Sequence, residues 1–151
     1  MKRMARFKFQ LDSLMKYREF QRDQCRQLLA DVLKQEADLL HEINQSQIER
    51  EQVSEEIRAG SIQGELNVQQ NASRRFYLTQ IDLKVRQFNL QLEEIRQQLE
   101  RCRKAVQQAD AAVKALEQLK ETRLKKHEHL EAKKLEVEMQ DTWSATQQIG
   151  Y

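Results

Sequence analysis

The residues with the most obvious chemical potential lie close together near the C-terminal end: His127, Glu128, His129 and Glu131. Imidazole and carboxylate groups are common ligands of zinc. On a helix, side chains two residues apart diverge, so only His127 and Glu131, four residues apart, share a face. Two ligands are too few for a closed metal site. The pattern favours a solvated helix face, and we expect no metal and no other cofactor.

A second pattern lies near the N-terminus, where aromatic and basic residues alternate between Arg6 and Phe20. Such a segment could bind nucleic acid through phosphates and stacking, or settle on an anionic membrane surface. It could also begin a helical seam with Phe7, Leu11 and Leu14 while its basic residues stay solvated. We favour this last interpretation, combined with a docking role toward a protein partner.

The cysteines, Cys25 and Cys102, are too few for a disulfide framework or a zinc site. Two small apolar thiols that fill a seam are the simpler interpretation. If the chain folds back on itself, we expect the two to lie within about one helical turn and to be bridgeable within one chain.

The composition is typical of long helices rather than of a compact enzyme. The 151 residues include no proline and only three glycines, and 33% are charged. No phosphate-binding glycine loop or nucleophile elbow is present, so we expect a protein that is not an enzyme and has no small-molecule substrate. No run approaches the roughly 20 apolar residues of a membrane span, and the N-terminus lacks the apolar core of a secretion signal, which predicts a cytoplasmic protein.

Charge is unevenly distributed along the chain. Residues 1–26 contain eight basic and three acidic side chains, residues 31–57 contain two and eight, and residues 120–134 contain six and three. If the two ends meet in space, they form a positive surface.

An apolar seam predicts a coiled coil. From Leu78 to Leu116, apolar residues alternate at spacings of three and four without interruption, which is the heptad pattern. A weaker seam runs from Leu11 to Val53 through Leu14 and Leu28, with polar residues such as Ser46 between them. The predicted seam residues are Val32, Leu39, Ile81, Val85, Phe88, Leu92, Ile95, Leu99, Cys102, Val106, Val113 and Leu116.

Two glycines, Gly60 and Gly64, lie between the seams and predict one turn. The predicted fold class is all-α: a long two-helix antiparallel coiled-coil hairpin that forms a single elongated domain over residues 1–151. Helix one is expected at about 6–58, the turn at 59–65, helix two at about 66–140 and a flexible tail at 142–151. Residue i should then lie opposite residue 124 − i, which places Val32 against Leu92.

Phe7–Arg18 contains spaced aromatic, leucine and arginine residues, and Ser54–Ile62 contains an Ala-Gly pair. These two segments resemble the opening pattern and the turn of the flagellar export protein FliJ family. Tyr77–Val85 resembles the aromatic start of its second helix, and Glu131–Asp141 its charged ending. The resemblance covers nearly the whole chain.

The hairpin predicts a monomer. The resemblance implies a stalk protein of the type III export apparatus, peripheral to the inner membrane at the flagellar base. Members of the family insert their open end into the hexameric export ATPase FliI, contact the export gate protein FlhA and bind export chaperones. On this chain, the ATPase-facing tip would comprise Leu11, Leu14, Arg18, Lys134, Glu138 and Asp141. The gate-facing side would comprise Tyr77 and Ile81. Gln45 and Glu49 stand where some members have aromatic residues, which departs from the family pattern.

Other functions are compatible with the same residues. The chain could be the equivalent stalk of a virulence secretion system, a basic coiled coil that binds nucleic acid, or a scaffold whose chains share helices. Retention on a nucleic-acid column with a steep salt dependence would favour nucleic-acid binding, although none is expected, and light scattering would distinguish a scaffold from a monomer.

Overall fold

Two long helices dominate the computed structural model, which describes residues 5–62 and 68–149. Helix α1 spans Asp12–Ile62 (51 residues), and helix α2 spans Val68–Ile149 (82 residues). They pack against each other, and no residue in the described ranges lies in a strand, which confirms the all-α hairpin. No described helix has a stretch that is long and apolar enough to span a membrane.

Both helices contribute to two units. Unit 1 comprises Met1–Asp23 and Gln107–Tyr151, and unit 2 comprises Gln24–Val106. The prediction of one elongated domain stays a prediction.

The core of unit 2 is a buried cluster of Leu39, Ile43 and Leu92, against which Phe88 and Ile95 pack. These residues come from both helices at heptad spacing. Removing their apolar surface from water stabilises the pair by about 25 cal/mol per Å². In unit 1, Phe9 and Val113 are the buried apolar residues among those described.

Helix α1 begins at Asp12, about six residues later than predicted. Residues 5–9 are not helical, and the amide of Asp12 donates to the carbonyl of Phe9 at 3.1 Å. Phe9 is buried and Phe7 half-buried, whereas Lys8 between them is exposed. This alternation has the period of an extended strand rather than of a helix, so burial of both rings opposes helix formation here.

The other boundaries also differ from the prediction. Helix α1 continues through Gly60 to Ile62, because one glycine costs a helix only about 1 kcal/mol and Ser61 Oγ donates to the carbonyl of Ile57 at 3.0 Å. The predicted turn at 59–65 is therefore helical up to residue 62, and residues 63–67 lie outside the described part of the chain.

The C-terminal segment is helical up to Ile149 instead of forming the expected tail from residue 142. No proline or glycine interrupts residues 65–149, and the hydroxyls of Thr142 and Thr146 donate to the carbonyls of Glu138 and Thr142, each at 2.8 Å. Residues 150 and 151 lie outside the described residues.

In unit 2 the helices are shifted by about one heptad from the predicted register. Arg50 pairs with Asp82 and Glu36 with Arg96, whereas the prediction placed residues 74 and 88 opposite them. Leu92 likewise packs in the cluster of Leu39 rather than against Val32. The predicted turn was centred on residue 62, but the midpoint between the ends of the two helices lies at residue 65. A shift of seven residues keeps apolar against apolar, so the seam alone does not reveal it.

On α1, two residues of the predicted seam, Leu14 and Leu28, are each one position away from the residue that packs. Leu14 and Leu28 are 39% and 57% exposed, whereas their neighbours Met15 and Leu29 are half-buried. Ile43 is buried, whereas a step of three from Leu39 would have placed Glu42 in the seam. Because polar residues interrupt this seam, the sequence is compatible with a step of either three or four residues after Cys25 and after Leu39. Burial of Leu29 and Ile43 shows that the step is four.

Candidate protein-binding surfaces

The predicted seam residues lie mainly between the two helices. Of the predicted seam residues, Val32, Leu39, Ile81, Leu92, Leu99 and Val113 are buried, and Val85, Phe88, Ile95, Cys102, Val106 and Leu116 are half-buried. These side chains hold the helices together, so binding surfaces must be sought on the outer faces and at the helix ends.

In unit 1, the extended residues 5–9, here called the strap, lie along α2. The carbonyl of Ala5 and Nε2 of His127 are 2.9 Å apart. The ring centroids of Phe7 and His127 are 5.6 Å apart, and the guanidinium of Arg123 lies 5.9 Å from the centroid of Phe9. The strap thus continues the packing against α2 beyond the start of α1, and His127 serves a packing role.

The predicted tip residues on α1 lie just after the strap. Leu11 is half-buried, Leu14 is partly exposed and Arg18 is exposed. Arg18 Nη1 donates to Gln21 Oε1 at 3.1 Å, which leaves most of the guanidinium directed to solvent. We call Leu11, Leu14 and Arg18 the proximal tip group.

The predicted tip residues on α2, Lys134, Glu138 and Asp141, form a separate distal tip group. All three are exposed, and Lys134 lies 3.9 Å from Glu131. His127 is the last α2 residue with a recorded contact to the strap, and Lys134 lies about 10 Å further along the helix at 1.5 Å per residue. The two tip groups therefore lie at different heights along α2 and cannot form one compact cluster.

The distal part of α2 also changes sign. Residues 120–134 are predominantly basic, whereas the charged residues after 134 are Glu136, Glu138 and Asp141. Residues 132–148 are all exposed, which includes the acidic block, and Arg123, Lys125 and Lys126 of the basic block are exposed as well. The basic end that the sequence predicts is a basic segment followed by an acidic one.

Sequence reasoning missed an apolar stripe on the same part of the helix. Leu135, Met139 and Trp143 are 43%, 71% and 64% exposed, and their spacing of four places them along one side of α2. The spacing is visible in the sequence, but only Leu135 and Met139 lie in the predicted second helix, whereas Trp143 lies in the predicted tail.

The two residues predicted to face the export gate differ in accessibility. Ile81 is buried, with 4% of its surface exposed, and lies in the seam, whereas Tyr77 is 45% exposed. The Tyr77 hydroxyl donates a hydrogen bond to the carboxylate of Glu49 on α1. Three effects raise the pKa of Tyr77 above its ordinary value of 10.0: this hydrogen bond contributes most, desolvation comes second, and the charge of Glu49 comes third.

A second missed feature lies on the outer face of α2 beside Tyr77. Phe76, Leu83 and Leu90 are 67%, 53% and 66% exposed and recur every seven residues. That spacing repeats one heptad position and lines the residues up. The signal was visible in the sequence, but the stronger seam obscured it.

The helices and their outer surfaces define an all-α coiled-coil protein whose exposed features suit protein contacts. A family model described as flagellar FliJ protein matches residues 7–149. The chain belongs to the FliJ family, which places it among the accessory proteins of flagellar type III export. No curated protein and no solved structure gives a significant match.

Proposed function

We propose that this protein is the non-catalytic stalk of the flagellar type III export apparatus and acts as a monomer. The family match over residues 7–149 carries the proposal. The pairing of α1 with α2 of the same chain supports a monomer, because the seam is filled without a second copy. The flagellar description favours this system over a virulence secretion system.

In this proposal unit 1 inserts into the ring of a FliI-like export ATPase. Exposure of Arg18, Lys134, Glu138 and Asp141 supports the assignment, because these charges are available for charge-assisted hydrogen bonds. Separation of the two tip groups along α2 suggests that they contact the ring at different depths.

The experiment for the ATPase contact is capture of the purified hexameric ATPase by the immobilised chain. Arg18→Glu is expected to weaken binding at least about tenfold, because it reverses a charge that faces the partner. Arg86→Glu is the matched control, since Arg86 is exposed on unit 2 and the same charge is reversed there. Equal capture by wild type and Arg18→Glu would remove the tip assignment.

We further propose that Tyr77 contacts a FlhA-like export gate together with Phe76 and Leu83. Ile81 is buried, so its contribution is to position these residues from the seam. Exposed aromatic and aliphatic side chains in one patch are typical anchors of protein interfaces.

For the gate contact, Phe76→Ala and Leu83→Ala should each reduce binding to the soluble domain of the gate protein about fivefold or more. Leu40→Ala is the control, because Leu40 is 41% exposed on α1, outside the patch. Equal loss in the control would indicate a non-specific effect. Export chaperones are further proposed partners, and association with the membrane would be peripheral, through the gate.

A further inference from the structure

The apolar seam of unit 2 permits more than one register. Val32, Leu39 and Ile43 are apolar at heptad positions of α1, and α2 offers Ile81, Leu92 and Leu99 at equivalent positions. A slip by one heptad would exchange these partners for one another and leave apolar surface against apolar surface. Some other interaction must therefore select the observed register.

Polar pairs across the two helices provide that selection. Arg50 Nε lies 2.7 Å from Asp82 Oδ1, and Arg96 Nε lies 3.7 Å from Glu36 Oε2. Nearer the turn, Arg74 Nε lies 3.6 Å from Glu56 Oε2. All three pairs join α1 to α2, so each exists in only one register.

One of the two possible slips by one heptad shortens α1 by about one turn. This slip would replace attractive charge pairs between the helices with a repulsive pair and a neutral one. With every partner moved by seven residues, Arg50 would meet Arg75 instead of Asp82, and Glu36 would meet Asn89 instead of Arg96. The pair of Glu56 with Arg74 would be lost as well, whereas Arg74 would come opposite Glu49. Three attractions would thus be lost, and one repulsion and one attraction would be gained. The backbone offers little resistance to this slip, because the last turn of α1 contains Gly60.

We propose that Arg50 and Asp82, supported by Glu36 and Arg96, form a register lock that holds the helices of unit 2 in one of two otherwise equivalent alignments. The pair is 47% exposed on each side, and such a pair shifts an equilibrium by at most about fivefold. The lock therefore depends on several pairs changing together and on the like charges that the slipped alignment brings into contact. Polar residues that fix the register of a coiled coil are known to act in this way.

The lock bears on the proposed function, because the gate-facing patch lies on α2 of the same unit, where the hydroxyl of Tyr77 donates a hydrogen bond to Glu49 of α1. A slip would place a different α1 residue next to the gate-facing patch. The test below requires no partner, so its failure would be distinguishable from failure of the proposed export role.

Two cysteine reporters measure the register. Extending the register of Leu39 and Leu92 along the helices puts Cys25 opposite Val106, and a slip of seven residues would put it opposite Leu99. Starting from Cys102→Ser, Val106→Cys reports the first and Leu99→Cys the second, each through intramolecular crosslinking of Cys25 by a short bismaleimide. The wild-type charges should give efficient crosslinking only in the Val106→Cys reporter.

Arg50→Glu makes the pair with Asp82 repulsive and the pair with Arg75 attractive. It should lower the ratio of Val106→Cys to Leu99→Cys crosslinking by about fivefold or more. Adding Asp82→Arg restores attraction in the observed register but does not restore the repulsion in the slipped one, so it should recover about half of the change on a logarithmic scale. Arg50→Gln, which removes the charge without reversing it, should give an intermediate ratio.

Arg75→Glu provides an independent variant that leaves Arg50 and Asp82 intact. It makes the slipped alignment attractive and should shift the ratio in the same direction by a smaller factor. Circular dichroism shows whether each variant keeps its helices. Unchanged ratios in folded Arg50→Glu and Arg75→Glu would overturn the register lock.

Discussion

The Tyr77 hydroxyl on α2 donates a hydrogen bond to the Glu49 carboxylate on α1, so an exposed phenol joins the two helices of unit 2. The bond requires the protonated phenol, and the negative charge of Glu49 opposes its ionisation. Both effects raise the pKa of Tyr77. Because the pKa is raised in the folded state, the resulting stabilisation is fully present below about pH 10 and is lost as the pH rises through the raised value.

Replacing Glu49 by alanine should therefore lower the pKa of Tyr77 toward its ordinary value. The tyrosinate absorbance of the wild type minus that of Tyr77→Phe gives the titration of this phenol alone. Repeating the pair of measurements in Glu49→Ala should show a lower midpoint. Glu51→Ala, which removes an exposed carboxylate from the same helix, is the control. An identical midpoint in wild type and Glu49→Ala would contradict the hydrogen bond.

The strap gives a second prediction. Phe9 is 8% exposed, so Phe9→Ala should release residues 5–9 from α2 while both helices persist. Trypsin should then cleave after Lys8 several-fold faster, with little change in the helical circular dichroism signal. Phe20→Ala serves as the control because Phe20 is 59% exposed. Cleavage at the wild-type rate in Phe9→Ala would mean that the ring does not hold the strap.

The same strap illustrates what sequence can and cannot reveal. An aromatic residue at every second position, as in Phe7 and Phe9, indicates an extended segment, but the heptad pattern that follows suggested an earlier helix start. The long seam of α2 is readable because its alternation from Leu78 to Leu116 has no interruption. The fold class follows from such regularity together with the scarcity of glycine and proline.

Register and outer surfaces are harder to predict for physical reasons. A seam that repeats every seven residues is equally satisfied after a shift of seven, so the position of the turn decides the register, and Gly60 proved helical. The exposed Phe76 and Leu83 resemble seam residues in type and differ only in the side of the helix they occupy. Ile81 is the opposite case. As an apolar residue it could belong to a binding surface, but it is buried in the seam and cannot contact a partner.

The seam on α1 gives the last prediction, through two adjacent leucines with different environments. Leu29 is half-buried, whereas Leu28 is 57% exposed, although the sequence pattern placed Leu28 in the seam. Leu29→Gln puts an amide against apolar side chains and should lower the free energy of unfolding by about 1–2 kcal/mol. Leu28→Gln should change it by less than about 0.5 kcal/mol. Urea unfolding followed by circular dichroism measures both, and the identical substitution at neighbouring positions cancels differences in helix propensity. A larger loss for Leu28→Gln than for Leu29→Gln would mean that Leu28, and not Leu29, lies on the α1 face that packs on α2.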